Sequence, residues 1–240
     1  MTAPGPCFTE FGPAYFEQQY RNYRLQNPPR KLRFYQGLVE RAAGGRPRPR
    51  ILDLGCAFGL FLSILGDRWD RFGVDASEYA IGEARRRTPD AKFAVAGAGN
   101  VPFPGQFDVI TAFDVLEHIP DLETVLLRVS QSLAPDGAFI FVVPVYDGPT
   151  GPIIRALDRD PTHVHKESRD FWLSRVSERF CVIDWHGIYR YLVGGAFYVH
   201  VVTRVWRNCT PAIACFTRVR SLEPHPAGPG GDLQMETEKT

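Results

Sequence analysis

Short apolar runs alternate with amphipathic stretches along the chain from about residue 49 onward. Some of these runs are rich in Val, Ile, Leu and Phe and are bounded by Gly, Pro or Asp, which is typical of strands in a sheet. They occupy residues 50–55, 72–75, 92–96, 107–112 and 138–144. Between them, apolar residues recur at the spacing of a helix face, as at Leu122, Val125, Leu126 and Val129. This alternation predicts a mostly parallel α/β sheet with helices on both faces.

Two further strand-like runs follow, at residues 180–186 and 195–205. They are close enough in sequence to form an antiparallel pair at the edge of the sheet. Helices are predicted near 60–65, 78–88, 121–133 and 168–178. Ser77 and Asp121 have short polar side chains that can cap two of these helices. The pattern therefore predicts seven strands, one of them reversed.

The two ends of the chain lie outside this pattern. Residues 1–45 carry aromatic side chains at roughly helical spacing, interleaved with Arg and Lys. The aromatic residues of interest are Tyr15, Phe16, Tyr20 and Tyr23. We interpret this segment as an N-terminal helical lid over a ligand; the alternative is that these aromatic residues only cover the core. Residues 46–221 form the predicted main domain, and residues 222–240, with three Pro, three Gly and no aromatic residue, are predicted to be a disordered tail.

The composition of the chain argues against a nucleic-acid-binding protein and against an integral membrane protein. The 240 residues carry 28 Lys and Arg against 27 Asp and Glu, so no global field would draw the chain to nucleic acid, and we predict no nucleic-acid partner. Every apolar stretch is shorter than the roughly 18 residues that a membrane span needs, so we predict no integral membrane segment. Five cysteines, an odd number without a Cys-x-x-Cys pair, favour a reducing, cytoplasmic location.

A glycine-containing turn follows the first predicted strand, in the segment Asp53-Leu54-Gly55-Cys56-Ala57-Phe58-Gly59. Open α/β sheets bind nucleotide-like ligands at such a turn. Asp75 lies twenty residues after Gly55, at the end of the second strand, where a carboxylate can accept both hydroxyls of a ribose. Ala57 replaces the middle glycine that a pyrophosphate requires, and Asp53 would repel that phosphate. These features predict an adenosine-type ligand and disfavour a nicotinamide-dependent oxidoreductase.

These motifs resemble those of the class I S-adenosylmethionine-dependent methyltransferases, in particular their small-molecule branch. Residues 53–59, 73–77 and 107–119 are similar to three family motifs in the family's order, and the similarity extends over about 49–205. The resemblance implies a Rossmann-like sheet with strand order 3-2-1-4-5-7-6 and S-adenosylmethionine as the cofactor. The residues it implies for cofactor binding are Asp53, Gly55, Ala57, Gly59, Asp75, Ala76, Asn100 and Phe113. Gly97 stands where the family often has an Asp that holds the adenine amino group, so Asn100 or backbone groups would have to replace it.

A second group of polar residues follows the fourth strand. Asp114, Glu117 and His118 are spaced i, i+3 and i+4, so they would share one face of a helix. The group resembles the acidic-x-x-Glu-His cluster with which some metal-dependent O-methyltransferases hold a divalent cation such as Mg²⁺. The alternative is that Glu117 and His118 are a structural feature of the pocket. Asp114 and Phe113 are also expected to border the transferred methyl group.

Histidines after the fifth strand are candidate bases. His163 or His165 can take a proton from a hydroxyl or amine near neutral pH, or complete a metal site with Glu117 and His118. The alternative is that each only hydrogen-bonds its loop. We list Asp114, His118, His163 and His165 as catalytic candidates and Tyr146 as a candidate substrate contact.

The predicted reaction is transfer of a methyl group by direct displacement to an O, N or C atom of a small-molecule metabolite. The acceptor is expected to be aromatic or anionic, because the lid combines aromatic and basic side chains. The alternative function is a non-catalytic partner subunit of the same fold, to which the missing adenine Asp points. A homodimer is compatible with either function.

Overall fold

The computed structural model describes residues 23–158, 160–193 and 197–220. Tyr15, Phe16, Tyr20 and the predicted tail lie outside these residues, so the lid and the tail remain predictions. Among the described helices, none combines the length and the apolar character that a membrane span requires.

The described strands form one sheet with the order β3-β2-β1-β4-β5-β8-β6-β7. They are β1 (Arg50–Leu54), β2 (Asp70–Asp75), β3 (Lys92–Val95), β4 (Phe107–Phe113), β5 (Leu133–Pro144), β6 (Phe180–Val193), β7 (Phe197–Thr203) and β8 (Ala212–Val219). Strands β1 to β5 pair in parallel, whereas β8 pairs antiparallel with β5 and β6, and β7 pairs antiparallel with β6.

The described helices cover both faces of this sheet. They are α1 (Tyr23–Gln26), α2 (Pro29–Ala43), α3 (Leu60–Ser63), α4 (Glu78–Arg87), α5 (Leu122–Ser132), α6 (Gly151–Leu157) and α7 (Arg169–Ser177), with short 3-10 turns at Leu116–His118 and Arg207–Cys209. The predicted caps are confirmed, because Ser77 accepts a hydrogen bond from the amide of Ala80 and Asp121 accepts one from Thr124.

Alternation along β5 divides the core into two layers. Ile140 and Val142 pack into a cluster with residues of α2, α3 and α4, whereas Phe139 and Phe141 pack into a second cluster with α5 and α7. Side chains of a strand point alternately to opposite faces, so a central strand with helices on both sides is apolar at every position. The predicted class, a mostly parallel Rossmann-like sheet, is confirmed.

The strand count and order differ from the prediction at one end of the sheet. Residues 212–219, for which no strand was predicted, form β8 and lie between β5 and β6, while β7 extends the edge beyond β6. The first six residues of β8 are all buried. This strand therefore takes the inner position that we assigned to residues 195–205, because its apolar side chains fit between the two helical layers.

The parallel strands direct their carboxyl ends to the same edge of the sheet. The loop after β1, Asp75 at the end of β2, and Asp114 directly after β4 all lie at this edge. Ligands of open α/β sheets bind at such an edge.

Candidate active site

A cavity of about 450 Å³ opens at the carboxyl ends of β1 and β4. Helices α1 and α2, strand β6 and strand β7 contribute further walls. Of the residues predicted from the sequence, the cavity is lined by Tyr23, Asp53, Gly55, Ala57, Phe113, Asp114, Glu117, His118 and His163. Four predicted cofactor residues (Asp53, Gly55, Ala57 and Phe113) therefore share one cavity with four residues predicted for the acceptor or the metal (Asp114, Glu117, His118 and His163).

The loop after β1 has an uncommon backbone conformation. The φ angles of Gly55, Ala57 and Gly59 are 65°, 44° and 66°, in the left-handed region that favours glycine. A Cβ atom on Gly55 would also collide with the side chain of Val115. The loop thus depends on Gly55 for both its conformation and its close approach to Val115.

Asp75 fixes this loop to the end of β2. Its two carboxylate oxygens accept hydrogen bonds from the backbone amides of Ala57 and Ser77, each at 2.9 Å. Burial raises the pKa of Asp75, and the two amide bonds oppose that increase. A carboxylate has about four acceptor positions, so Asp75 retains capacity for ribose hydroxyls.

Asp53 is almost completely buried at the end of β1. The hydroxyl of Thr111 donates a hydrogen bond of 2.6 Å to its Oδ1 atom. Burial raises the pKa of Asp53 to about 7; the Thr111 bond lowers it and the nearby Asp75 charge raises it. The carboxyl group can therefore change its charge near neutral pH, and a cationic ligand group would favour its ionised form.

Asp114 is an ion-pair partner at the far wall of the cavity. Its Oδ1 atom pairs with Arg190 of β6, and its Oδ2 atom lies 3.8 Å from Nζ of Lys31 of α2. Burial would raise its pKa, but Arg190 and Lys31 hold that pKa below its usual value. Asp114 is therefore a charged carboxylate whose partners are two cations that the sequence analysis did not identify as site residues.

Glu117 is fully buried beside this pair. Within the described residues neither of its carboxylate oxygens has a hydrogen-bond partner. Burial, together with the charge of Asp114, raises the pKa of Glu117 well above its usual value. Glu117 is therefore a buried carboxyl group with unused hydrogen-bonding capacity inside the cavity.

His118 and His163 face each other with their ring centroids 4.7 Å apart. Nδ1 of His118 lies 2.9 Å from the hydroxyl of Thr162, and Nδ1 of His163 lies 2.8 Å from Oδ2 of Asp158. Burial lowers the pKa of His118, and the nearby His163 lowers it further. Because each Nδ1 atom has a partner, Nε2 is the nitrogen that each ring can offer to a ligand.

One cluster in the described part of the chain could hold a metal ion. Glu117, His118 and His163 each offer a ligand atom, and these atoms lie within 4.8 Å of one another. This cluster differs from the predicted metal ligands Asp114, Glu117 and His118 in one residue, because Asp114 is paired with Arg190 instead. His163, which the sequence analysis offered as an additional ligand, takes that place.

Tyr146 and His165 have other partners than expected. The Tyr146 hydroxyl donates a 2.6 Å hydrogen bond to Asp158, which is also 2.9 Å from Nζ of Lys166. Nε2 of His165 donates to the backbone oxygen of Ile119 at 2.9 Å. Neither Tyr146 nor His165 lines the cavity. The geometry therefore favours the loop-bonding alternative for His165, and it makes Tyr146 a partner of Asp158.

Four of the predicted cofactor residues also lie outside the cavity lining, namely Gly59, Asp75, Ala76 and Asn100. The side chain of Asn100 is exposed, and no heavy atom lies within 4 Å of the position that a Cβ atom on Gly97 would take. No described side chain therefore fills the place of the missing adenine Asp at Gly97.

Three aromatic rings pack together to form an aromatic wall of the cavity, namely Tyr35, Phe61 and Phe113. Tyr35 stacks on Phe113 with ring centroids 4.1 Å apart, and Phe61 contacts Phe113 edge-on at 5.0 Å. Tyr23 of the predicted lid packs edge-on against Phe58 at 5.0 Å. A planar apolar group would find complementary surfaces here.

Comparison with known proteins gives one family match and several partial relatives. Residues 21–192 match the family of methyltransferase domains. Over 99 residues the chain is 34% identical to a ubiquinone biosynthesis O-methyltransferase of Azoarcus sp. (strain BH72), covering 38% of this chain and 42% of the relative. Over 116 residues it is 28% identical to a trans-aconitate 2-methyltransferase of Afipia carboxidovorans, covering 47% and 45%. The chain thus spans less than half the length of either relative.

Solved structures share the fold at low sequence identity. One is the N-methyltransferase NodS from Bradyrhizobium japonicum WM9 in complex with S-adenosyl-L-homocysteine, with a TM-score of 0.58 and 18% identity. The match covers 82% of this chain and 91% of that one. The architecture around the cavity is therefore one that occurs in known methyltransferases.

Proposed function

Because the chain belongs to the family of methyltransferase domains, we propose that it transfers the methyl group of S-adenosylmethionine to an oxygen atom of a small-molecule acceptor. The acceptor oxygen attacks the methyl carbon, the carbon–sulfur bond breaks, and S-adenosylhomocysteine leaves as the acceptor loses a proton. The O-methyltransferase among the partial relatives favours oxygen over nitrogen or carbon.

The observation that supports this proposal is that residues proposed for cofactor binding and residues proposed for acceptor binding line the same cavity. Asp53 and Gly55 belong to the first group, and Glu117, His118 and His163 belong to the second. Displacement requires the acceptor atom to lie behind the methyl group, so both ligands must reach the same space.

On the cofactor side, Asp53 suits the positively charged amino-acid end of S-adenosylmethionine, since its buried carboxyl gains a counter-ion when a cation binds. Gly55 allows the ligand to approach the backbone closely. Asp75, which is held by the amides of Ala57 and Ser77, suits the ribose hydroxyls. The resemblance of the motifs supports the same assignments.

On the acceptor side, we assign the base to His163. Asp158 accepts a hydrogen bond from the Nδ1–H group, so the neutral ring carries its lone pair on Nε2, and Nε2 can take the proton of the acceptor hydroxyl. The carboxylate of Asp158 then stabilises the imidazolium that forms. His118, whose pKa is lowered by burial and by His163, remains neutral and can orient the acceptor.

A divalent cation is the second way to activate the acceptor. Its ligands would be Glu117, His118 and His163, and the unpartnered oxygens of Glu117 support this set. Such an ion would lower the pKa of a bound hydroxyl. Two imidazoles and one carboxylate suit a transition metal better than Mg²⁺, which prefers oxygen ligands.

Calorimetry with S-adenosylhomocysteine tests the cofactor assignment. We expect the intact chain to bind it and Asp75→Asn to bind about tenfold more weakly or worse, because the amide loses ribose and loop hydrogen bonds. Asp136→Asn is the matched control, since this exposed residue lies on another part of the sheet. Equal affinity of all three proteins, or no binding to the intact chain, would contradict the proposal.

A further inference from the structure

Two cations share one carboxylate in the corner of the cavity between α2, β6 and β7. Lys31 and Arg190 both line the cavity, and the charged group that they contact is Asp114. The corner therefore carries an excess positive charge.

Lys31 has weak partners for a buried ammonium group. The residue is 6% exposed, and its Nζ atom lies 3.3 Å from the backbone oxygen of Gln26 and 3.8 Å from Oδ2 of Asp114. Both distances exceed those of a good charged hydrogen bond. The pKa of Lys31 is lowered to about 8, chiefly by burial and also by Arg190, while Asp114 opposes the change.

Aromatic rings surround the same ammonium group. Its Nζ atom lies 5.7 Å from the ring centroid of Tyr35 and 5.6 Å from that of Tyr198. Tyr35 is 2% exposed, and within the described residues its hydroxyl has no hydrogen-bond partner. A buried hydroxyl donor beside a poorly neutralised cation is an arrangement that an anionic oxygen would complete.

We infer that Lys31, Arg190 and the hydroxyl of Tyr35 form a subsite for a carboxylate, which the methyl acceptor supplies. The inference rests on the proposed function and adds a substrate class, a small carboxylic acid. The carboxylate accepts from Nζ of Lys31 and from the Tyr35 hydroxyl, while Arg190 supplies further positive charge. The stacked pair of Tyr35 and Phe113 gives the apolar part of such an acid a flat surface.

The cofactor also carries a carboxylate, but the position of the corner favours the acceptor. Arg190 and Tyr198 belong to β6 and β7, which are separated from β1 in the sheet by β4, β5 and β8. The cofactor residues belong to the loop after β1 and to the end of β2. Strands distant in the sheet from those that carry the cofactor residues therefore supply Arg190 and Tyr198 to the charged corner.

Ligand-observed NMR with benzoate and benzamide tests the inference on protein saturated with S-adenosylhomocysteine. The two probes have nearly the same shape and differ in charge. We expect benzoate to bind about tenfold more tightly than benzamide, and Lys31→Met to remove that preference. Lys31→Arg should retain part of it, and Tyr35→Phe should weaken benzoate alone. Lys92→Met, at an exposed lysine of β3, is the matched control and should retain the full preference.

Three results would overturn the inference. The first is equal binding of benzoate and benzamide to the intact protein, or binding of neither. The second is an unchanged benzoate preference in both Lys31→Met and Tyr35→Phe. The third is that Lys31→Met weakens S-adenosylhomocysteine but not 5′-methylthioadenosine, which lacks the amino-acid end; the carboxylate would then be the cofactor's. Failure of S-adenosylhomocysteine to bind the intact protein would instead contradict the proposed function itself.

Discussion

The Nδ1 atom of His163 lies 2.8 Å from Oδ2 of Asp158, and this contact determines which nitrogen of the ring can meet a substrate. Asp158 also accepts hydrogen bonds from Tyr146 and Lys166, and these bonds hold its pKa well below the usual range despite burial. Asp158 is thus a permanent negative charge behind the imidazole. Such a charge fixes the tautomer and the orientation of the imidazole ring.

The pairing predicts separate effects on turnover and on cofactor binding. His163→Ala should lower kcat by about 100-fold or more because it removes the base, and Asp158→Asn should lower it by about 10- to 100-fold because the ring loses its orientation. Affinity for S-adenosylhomocysteine should stay unchanged in both variants. Steady-state kinetics and calorimetry on the same preparations measure the two quantities.

His165→Ala serves as the control for these variants. His165 contacts the backbone of Ile119 and does not line the cavity, so kcat should remain within a few-fold of the intact protein. If kcat falls as much in His165→Ala as in His163→Ala, His163 is not specifically the base. A pH profile of kcat that is unaltered in Asp158→Asn would show that Asp158 does not act through the ring.

Asp53 predicts a pH dependence of cofactor binding. Since burial raises its pKa to about 7, the carboxyl is ionised above that pH and neutral below it. The ionised form attracts the ammonium group of S-adenosylhomocysteine, so affinity should decrease as the pH falls from about 8 to about 6. Calorimetry over this range measures the effect.

The variant Asp53→Asn isolates this group from other titrating residues. It keeps the shape that Thr111 contacts but carries no charge at any pH. Its affinity should be lower than that of the intact chain at pH 8 and nearly independent of pH. An equally steep pH dependence in the intact chain and in Asp53→Asn would locate the titration elsewhere.

Gly55 predicts a large difference between two Gly→Ala variants. A methyl group at Gly55 would collide with Val115 at a positive φ, so Gly55→Ala should lower the free energy of unfolding by about 1–3 kcal/mol and abolish cofactor binding. A Cβ atom on Gly37 of α2 meets no heavy atom within 4 Å, so Gly37→Ala should raise it by about 0.4–1 kcal/mol. Urea unfolding measures the free energy of unfolding, and calorimetry measures cofactor binding. A Gly55→Ala variant that keeps both would exclude the close approach of Gly55 to Val115.

The base assignment also predicts the response to a chelator. If His163 alone takes the proton, EDTA should leave kcat unchanged, and added Mn²⁺ or Zn²⁺ should not increase it. A loss of turnover in EDTA that one cation restores in the intact chain and not in Glu117→Gln would transfer the activation step to the Glu117, His118 and His163 group. Dialysis against chelator, followed by metal addition and measurement of kcat, distinguishes proton removal by His163 alone from activation by a metal ion.

Local features of the chain were predictable from the sequence. The strands through β5, the caps at Ser77 and Asp121 and the turn at Gly55 depend on neighbouring residues, and the structure confirms them. Strand β8 was not predicted because the apolar run after Pro211 has no local strand signal, and it forms a strand by pairing with β5 and β6. Which of several late strands is inserted in the sheet depends on long-range pairing, which periodicity does not report.

The partners of the site residues were not predictable in the same way. Asp114 and Arg190 are 76 residues apart, and no local pattern in β6 marks Arg190 as a site residue. Lys31 was one of several basic residues in the predicted lid, and its burial distinguishes it only in the folded chain. Tyr146 and His165 lie near the site in sequence, but the loop that contains them directs their polar atoms to Asp158 and Ile119.

The central claim, methyl transfer within the shared cavity, is tested most directly by following a labelled methyl group. The protein is incubated with S-adenosylmethionine carrying an isotopic methyl label and with the small-molecule fraction of a bacterial extract, and the products are separated by mass spectrometry. We predict label in a small molecule and stoichiometric S-adenosylhomocysteine with the intact chain, and much less of both with Asp53→Asn at pH 8. Binding of S-adenosylhomocysteine without any label in the small-molecule fraction would contradict the account and favour a non-catalytic subunit.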